Sequence, residues 1–169
     1  MLDEHDALVL GLAARLRERR MICATAESCT GGLIGAMLTA VPGSSEWYAG
    51  GVVSYANSVK EGVLGVSGTV LSSCGAVSSP VVEAMAEGAC RLVGADASCA
   101  VSGVAGPGGG TPGKPVGTVW IGWSVRGRTD SKCFLFPGDR AEVRRRTADA
   151  AIAGLAERIG AAEDAPAAG

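Results

Sequence analysis

Aromatic side chains make up only 4% of this 169-residue chain, so it has little on which to stack bases. A surplus of one charge is missing too. Fifteen Lys and Arg face 17 Asp and Glu, a formal net charge of −2. That balance argues against a chain whose task is to coat nucleic acid or an anionic membrane, and neither is expected as a partner. Histidine occurs once, as His5, and none of the six cysteines (23, 29, 74, 90, 99 and 133) forms a C-x-x-C pair. No cluster with zinc spacing exists, and no metal is expected. No apolar run approaches the ~20 residues needed to span a bilayer. The first residues, Met1-Leu2-Asp3-Glu4-His5-Asp6, are acidic, the reverse of a signal-peptide start. A cytoplasmic protein with free, reduced cysteines is the expectation.

Hydrophobic residues are plentiful at 47%, so the chain can bury a core and is not intrinsically disordered. Its length suits one domain. Leu8, Leu12 and Leu16 recur at a four-residue spacing in an amphipathic helix over Asp6–Arg20, with cations in the last turns. Met21–Thr25 and Ala49–Tyr55 read as strands, separated by a helix over Leu33–Ala40 that follows Gly31-Gly32. A short helix is expected over Ser58–Leu64. Ser78-Ser79-Pro80 starts a helix that ends at Gly94, with serine caps and Pro in the first turn. Ala97–Ser102 reads as a strand, Gly103–Pro115 as a loop holding six Gly and three Pro. Val116–Val125 and Ser131–Phe136 form a hairpin turning at Arg126-Gly127-Arg128. Asp139 caps a last helix to about Ile159. The pattern predicts a single α/β domain over 1–160, a three-layer α/β/α arrangement with a mixed β-sheet flanked by helices on both faces. The Ala-rich tail, 161–169, is expected to be disordered.

Four segments could carry chemistry. Ala24-Thr25-Ala26-Glu27-Ser28-Cys29-Thr30-Gly31-Gly32 lies at a strand-to-helix junction, where ligands of open α/β sheets bind. Ser28 can expose its hydroxyl there, and N–H groups around Cys29 to Gly31 can hold a phosphate or oxyanion; equally, Ser28 or Thr30 can simply cap the helix. Tyr55 closes the second strand and Lys60 falls one turn into the next helix. A neutral Lys can serve a Ser nucleophile as base, whereas most lysines are solvated. The Gly-rich loop contains Gly108-x4-Gly113-Lys114, the skeleton of a P-loop. Pro115 stands where the magnesium-binding hydroxyl belongs and a strand follows, so that assignment is rejected. The loop can still offer N–H groups from Gly103 to Gly106 to an anion, or be a flexible turn. Arg140, after Pro137-Gly138-Asp139, suits a phosphate; Arg144, Arg145 and Arg146 read as a solvated or subunit-facing stripe. Cys29 has no His to activate it and reads as packing.

In order along the chain, Thr25-Ala-Glu-Ser-Cys-Thr-Gly-Gly32, Gly50-Gly-Val-Val-Ser-Tyr-Ala-Asn57 with Lys60, and Leu64-Gly-Val66 resemble the C-terminal domain of the CinA family. So do Gly75-Ala-Val-Ser78, Gly103-Val-Ala-Gly-Pro-Gly-Gly-Gly110, Lys114-Pro-Val-Gly-Thr-Val119 and Gly138-Asp-Arg140. Any one of these is weak; the ordered set covers about residues 5 to 160 and is specific. The resemblance implies hydrolysis of the carboxamide of nicotinamide mononucleotide to nicotinic acid mononucleotide and ammonia, with no cofactor. It implies Ser28 as nucleophile, with Tyr55 and Lys60 as catalytic partners. It implies substrate contacts from Glu27, Thr30, Gly31, Asn57, Ser102, Gly103, Ala105, Gly106 and Arg140, and a homo-oligomer, for which the apolar first helix would suit an interface. Two positions depart from the family pattern: Ser79 where Glu is usual, and Ser102 where Thr is usual. The longer CinA proteins carry an additional N-terminal pyrophosphatase-like domain, with no counterpart in this sequence. Two other readings share these motifs: a nucleotide-binding module without catalysis, and an amidase for a different small amide.

Overall fold

The computed structural model describes residues 4–162. The first helix, α1 (Glu4–Arg19), buries Val9, Leu12, Ala13 and Leu16 along one face. It stops where Arg20 takes a φ of 54° and the Met21 N–H donates to the Leu16 carbonyl at 2.9 Å. That turn uses up Met21, so the first strand starts later than the sequence suggests: β1 is Cys23–Glu27, and every residue of it is buried.

Burial on both faces follows from position. β1 lies between two parallel neighbours, β2 (Tyr48–Val53) and β3 (Ala97–Gly103), and the sheet order is β2-β1-β3-β4-β5. β4 (Thr118–Val125) runs antiparallel to β3, and β5 (Arg128–Leu135) antiparallel to β4, so the sheet is mixed as expected. β5 begins three residues earlier than the hydrophobic pattern indicates. Arg126 and Gly127 both adopt positive φ (49° and 78°), a two-residue hairpin turn that pairs Val125 directly with Arg128.

Helices α1, α2 (Leu33–Thr39) and α6 (Arg140–Ala161) cover one face, where Leu12, Leu16, Ile34, Leu38, Trp47, Trp123, Ile152 and Leu155 form the larger core. The other face carries α5 (Ser79–Val93), with α3 (Asn57–Gly62) and α4 (Gly68–Cys74) preceding it in the chain. There Val81, Val82, Met85, Ala86 and Ala89 pack on Ala24, Ala26 and Ala100. Small strand residues let α5 sit close: a Cβ on Gly122 of β4 would lie 2.6 Å from the Val82 carbonyl oxygen. Each fully buried Leu or Ile contributes about 1.5–3 kcal/mol, so both faces are needed. The apolar face of α1, expected to suit a subunit interface, is spent instead on α6 and α2.

Asp139 forms a capping box with Glu142, its Oδ1 accepting from the Glu142 N–H and its own N–H donating to Glu142 Oε2, both at 2.9 Å. Ser78 differs from the expected cap. Its hydroxyl turns back to donate to the Gly75 carbonyl at 2.7 Å, and α5 begins without a side-chain cap. Helix α4 went unforeseen. All six cysteines are free. The tail beyond residue 162 lies outside the described residues, while α6 itself reaches Ala161.

Candidate active site

The carboxyl end of β1 runs directly into a tight turn, and Glu27 organises it. Its Oε2 accepts from the Thr30 hydroxyl at 2.6 Å and from the Gly32 and Ile34 N–H groups at 3.0 Å each. Its Oε1 accepts from the Gly35 N–H at 2.8 Å. The free N–H groups at the start of α2 are therefore satisfied from within, by a carboxylate that is 2% exposed. Gly31 (φ 59°) and Gly32 (φ 100°) supply the left-handed backbone that the turn requires. Neither Ser28 nor Thr30 caps α2: the N-cap residue is Gly32, with no side-chain cap.

Ser28 is pegged to the neighbouring strand, its N–H donating to the Val101 carbonyl at 3.0 Å. Its hydroxyl meets Lys60 from α3, with Nζ 3.1 Å from Oγ. Lys60 is not the solvated lysine that base rates favour; it is 1% exposed. The amine also donates to the Ser54 carbonyl at 2.6 Å and the Tyr55 carbonyl at 3.2 Å, both from the segment leaving β2. Burial away from water lowers its pKa below the usual lysine value. Cys29, beside the serine, is moved the other way: burial pushes its thiol up to about 11. At neutral pH that thiol keeps its proton.

A cleft of about 290 Å³ opens in front of Ser28. Cys29, Tyr55, the loop from Gly103 to Gly106 with Gly108 and Gly109, and Arg140 line it. Arg140 holds this rim together, donating to the Gly106 carbonyl at 2.9 Å and to the Tyr55 hydroxyl at 3.3 Å. Gly106 adopts a φ of 82°, and a Cβ there would meet Val116 Cγ1 at 2.5 Å, so the loop can take this path only with glycine.

The structure thus gathers Ser28, Tyr55, Gly103, Ala105, Gly106 and Arg140 around one cleft, with Lys60 directly behind Ser28. Five of the expected substrate contacts are placed otherwise. Glu27 and Thr30 are buried and bonded to each other behind the wall, Ser102 is buried within β3, and Asn57 is exposed at the start of α3; none lines the cleft. Gly31 lies in the turn, also outside the lining. Arg144, expected in a solvated or subunit-facing stripe, turns inward instead, its Nη2 donating to the Thr30 carbonyl at 2.8 Å. That contact joins residues 114 positions apart, and no local pattern announces it. Among the described residues no group of three His, Cys, Asp or Glu is placed to hold a metal ion.

A one-domain α/β/α fold with a serine at the carboxyl end of β1, backed by a buried lysine, defines the class. The comparisons give the family. The CinA C-terminal domain model matches residues 5–159, and the chain belongs to that family. It is 49% identical to the nicotinamide-nucleotide amidohydrolase PncC of Pseudomonas putida, over 91% of this chain and 96% of that one. It is 50% identical to a CinA-like protein of Akkermansia muciniphila over 88% of this chain, but spans only 38% of that longer protein. Among solved structures, competence damage-inducible protein A of Klebsiella pneumoniae superposes with a TM-score of 0.90 at 39% identity, covering 94% of this chain and 98% of that one. No helix among the described residues is long and apolar enough to cross a membrane.

Proposed function

We propose that this chain hydrolyses the carboxamide of nicotinamide mononucleotide, giving nicotinic acid mononucleotide and ammonia. The observation that carries the reading is the buried Lys60 amine 3.1 Å from Ser28 Oγ at the floor of the cleft. The P. putida relative, whose name states this activity, supports the substrate.

Neutral Lys60 has two N–H groups and one lone pair. The Ser54 and Tyr55 carbonyls accept the two N–H bonds, which leaves the lone pair for the serine proton. Ser28 Oγ attacks the carboxamide carbon as its proton passes to Lys60. The oxyanion that forms needs donors. Those of α2 are already held by Glu27, and the Gly31 N–H donates to the Ser28 carbonyl at 3.0 Å. The remaining candidates among the residues that line the cleft are the Cys29 N–H of the turn and those of Ala105 and Gly106. Protonated Lys60 then gives its proton to the departing nitrogen, ammonia leaves, and Lys60 takes a proton from the water that opens the acyl-enzyme. Tyr55 stands at the mouth, its hydroxyl accepting from Arg140, where it can position the substrate or relay a proton. Arg140 uses two of its five donors on the rim and keeps the others for the 5′-phosphate.

A cytoplasmic homo-oligomer belongs to the same proposal, and sedimentation of the purified chain reads its assembly state. The substrate is tested by offering nicotinamide mononucleotide, nicotinamide and asparagine in parallel and following ammonia. Release from the mononucleotide alone supports the reading; release from another amide only would replace it. Binding of the mononucleotide without release would move the chain to the class of nucleotide-binding modules.

A further inference from the structure

The turn that carries Ser28 is tied down from two sides, and only one of them belongs to the strand and helix that it joins. From inside, Glu27 gathers the Thr30 hydroxyl and three N–H groups of Gly32, Ile34 and Gly35. From outside, α6 reaches across with Arg144, half-buried, whose Nη2 donates to the Thr30 carbonyl at 2.8 Å. The same carbonyl accepts from the Leu33 N–H at 3.2 Å. Arg145 and Arg146, next along the helix, are exposed.

We infer that Arg144 is a positioning residue of the catalytic turn, holding the Thr30 carbonyl so that the neighbouring Cys29 N–H, which lines the cleft, stays aimed at the place where the oxyanion forms. This rests on the amidohydrolase reading. That N–H donates to no other residue among the described ones, and it lies in a stretch that is neither strand nor helix. Its direction is set by whatever fixes the carbonyls around it. A guanidinium suits the task, since its charge strengthens the bond and its planar fork loses little freedom in making it. Arg144 also borders a second hollow of about 540 Å³, lined with Arg140, Ala105 and Val116. Direct contact with the substrate phosphate is therefore the rival role.

Arg144→Met and Arg144→Lys separate the two roles. The assays are turnover of nicotinamide mononucleotide and labelling of Ser28 by a fluorophosphonate. In the labelling step the Ser28 oxygen–phosphorus bond forms, the phosphorus–fluorine bond breaks, and fluoride leaves while Lys60 takes the proton. The phosphoryl oxygen occupies the oxyanion position without any nucleotide being present. In Arg144→Met, kcat and the labelling rate should both fall by about 10- to 100-fold, less than the ~10²–10³ for deleting an oxyanion donor, because the donor is misaligned and not removed. KM should stay within about twofold. Arg144→Lys should keep part of the rate, and added ethylguanidine should restore part of the Met variant's.

A raised KM with labelling unchanged would overturn the inference in favour of phosphate binding. Unchanged turnover and labelling would overturn it outright. If Arg144→Met fails to fold, Arg144→Lys is read by the same split. A wild-type protein that is labelled but inert toward the mononucleotide would overturn the substrate and leave Arg144 to be judged on labelling alone. A wild type that does neither overturns both readings.

Discussion

Replacing Glu27 by Gln tests whether the nucleophile turn is held from within. The carboxylate oxygens are unequal: Oε2 accepts three bonds and Oε1 one. A glutamine should therefore keep its carbonyl at the Oε2 position and turn its amide nitrogen toward the Gly35 N–H. That arrangement loses one acceptor, sets two donors against each other, and removes the negative charge from the other three bonds. A bond to a charged group contributes about 1.5–3 kcal/mol and an unsatisfied buried donor costs about 1–3 kcal/mol, so a loss of about 2–4 kcal/mol is expected. For a domain whose stability is about 5–15 kcal/mol, that is a large shift. Buried Trp47 and Trp123 report unfolding by fluorescence, and the midpoint in urea should drop with the slope unchanged. Thr30→Val, which removes a single partner of the same carboxylate, should cost less. A Glu27→Gln protein within about 0.5 kcal/mol of wild type, the range of an ordinary surface change, would refute the account of this turn.

The remaining predictions concern the chemistry. Lys60→Met should lower kcat by about 10²–10⁴, the range for loss of a general base, while the fold survives because an unbranched apolar chain of similar length fills the buried site. Since Lys60 acts unprotonated and its pKa lies below the usual lysine value, kcat/KM in wild type should rise with pH to a plateau through an ionisation below 10.5. A profile that falls over that limb would contradict the assignment. The same shift makes the unfolded chain bind more protons between the two pKa values, so stability should also rise with pH there, and Lys60→Met should lose that dependence. Cys29→Ala should keep turnover within about threefold of wild type, and iodoacetamide at neutral pH should not inactivate the wild type, because a thiol with a pKa of about 11 is scarcely ionised.

Much of this was legible before any coordinates. Local chemistry announced the Asp139 cap, the stop at Gly94 and the amphipathic α1, because each depends on residues within a turn or two of one another. Helix α4 is hard to see because Gly68-Thr-Val-Leu-Ser-Ser-Cys74 opens on Gly and is rich in Ser and β-branched residues, although Ser67 caps it, its Oγ accepting from the Val70 N–H at 3.5 Å. Ser28, Tyr55 and Lys60 were found through motifs, but their arrangement was not. For Lys60 the sequence leaves both a base for Ser28 and a solvated lysine open, because its burial depends on tertiary packing. Glu27, expected as a substrate contact only through the family resemblance, accepts from the Thr30 hydroxyl and from the backbone of the helix it introduces. Arg144 was missed for the simplest reason: its partner is more than a hundred residues away.

The central claim is that Ser28, activated by Lys60, opens a carboxamide. Its most direct measurement is ammonia release from nicotinamide mononucleotide by wild type and Ser28→Ala, both with a chelator present. The account predicts release by the wild type that the chelator leaves intact, and release abolished in Ser28→Ala although the nucleotide still binds. Near-normal release by Ser28→Ala would contradict it.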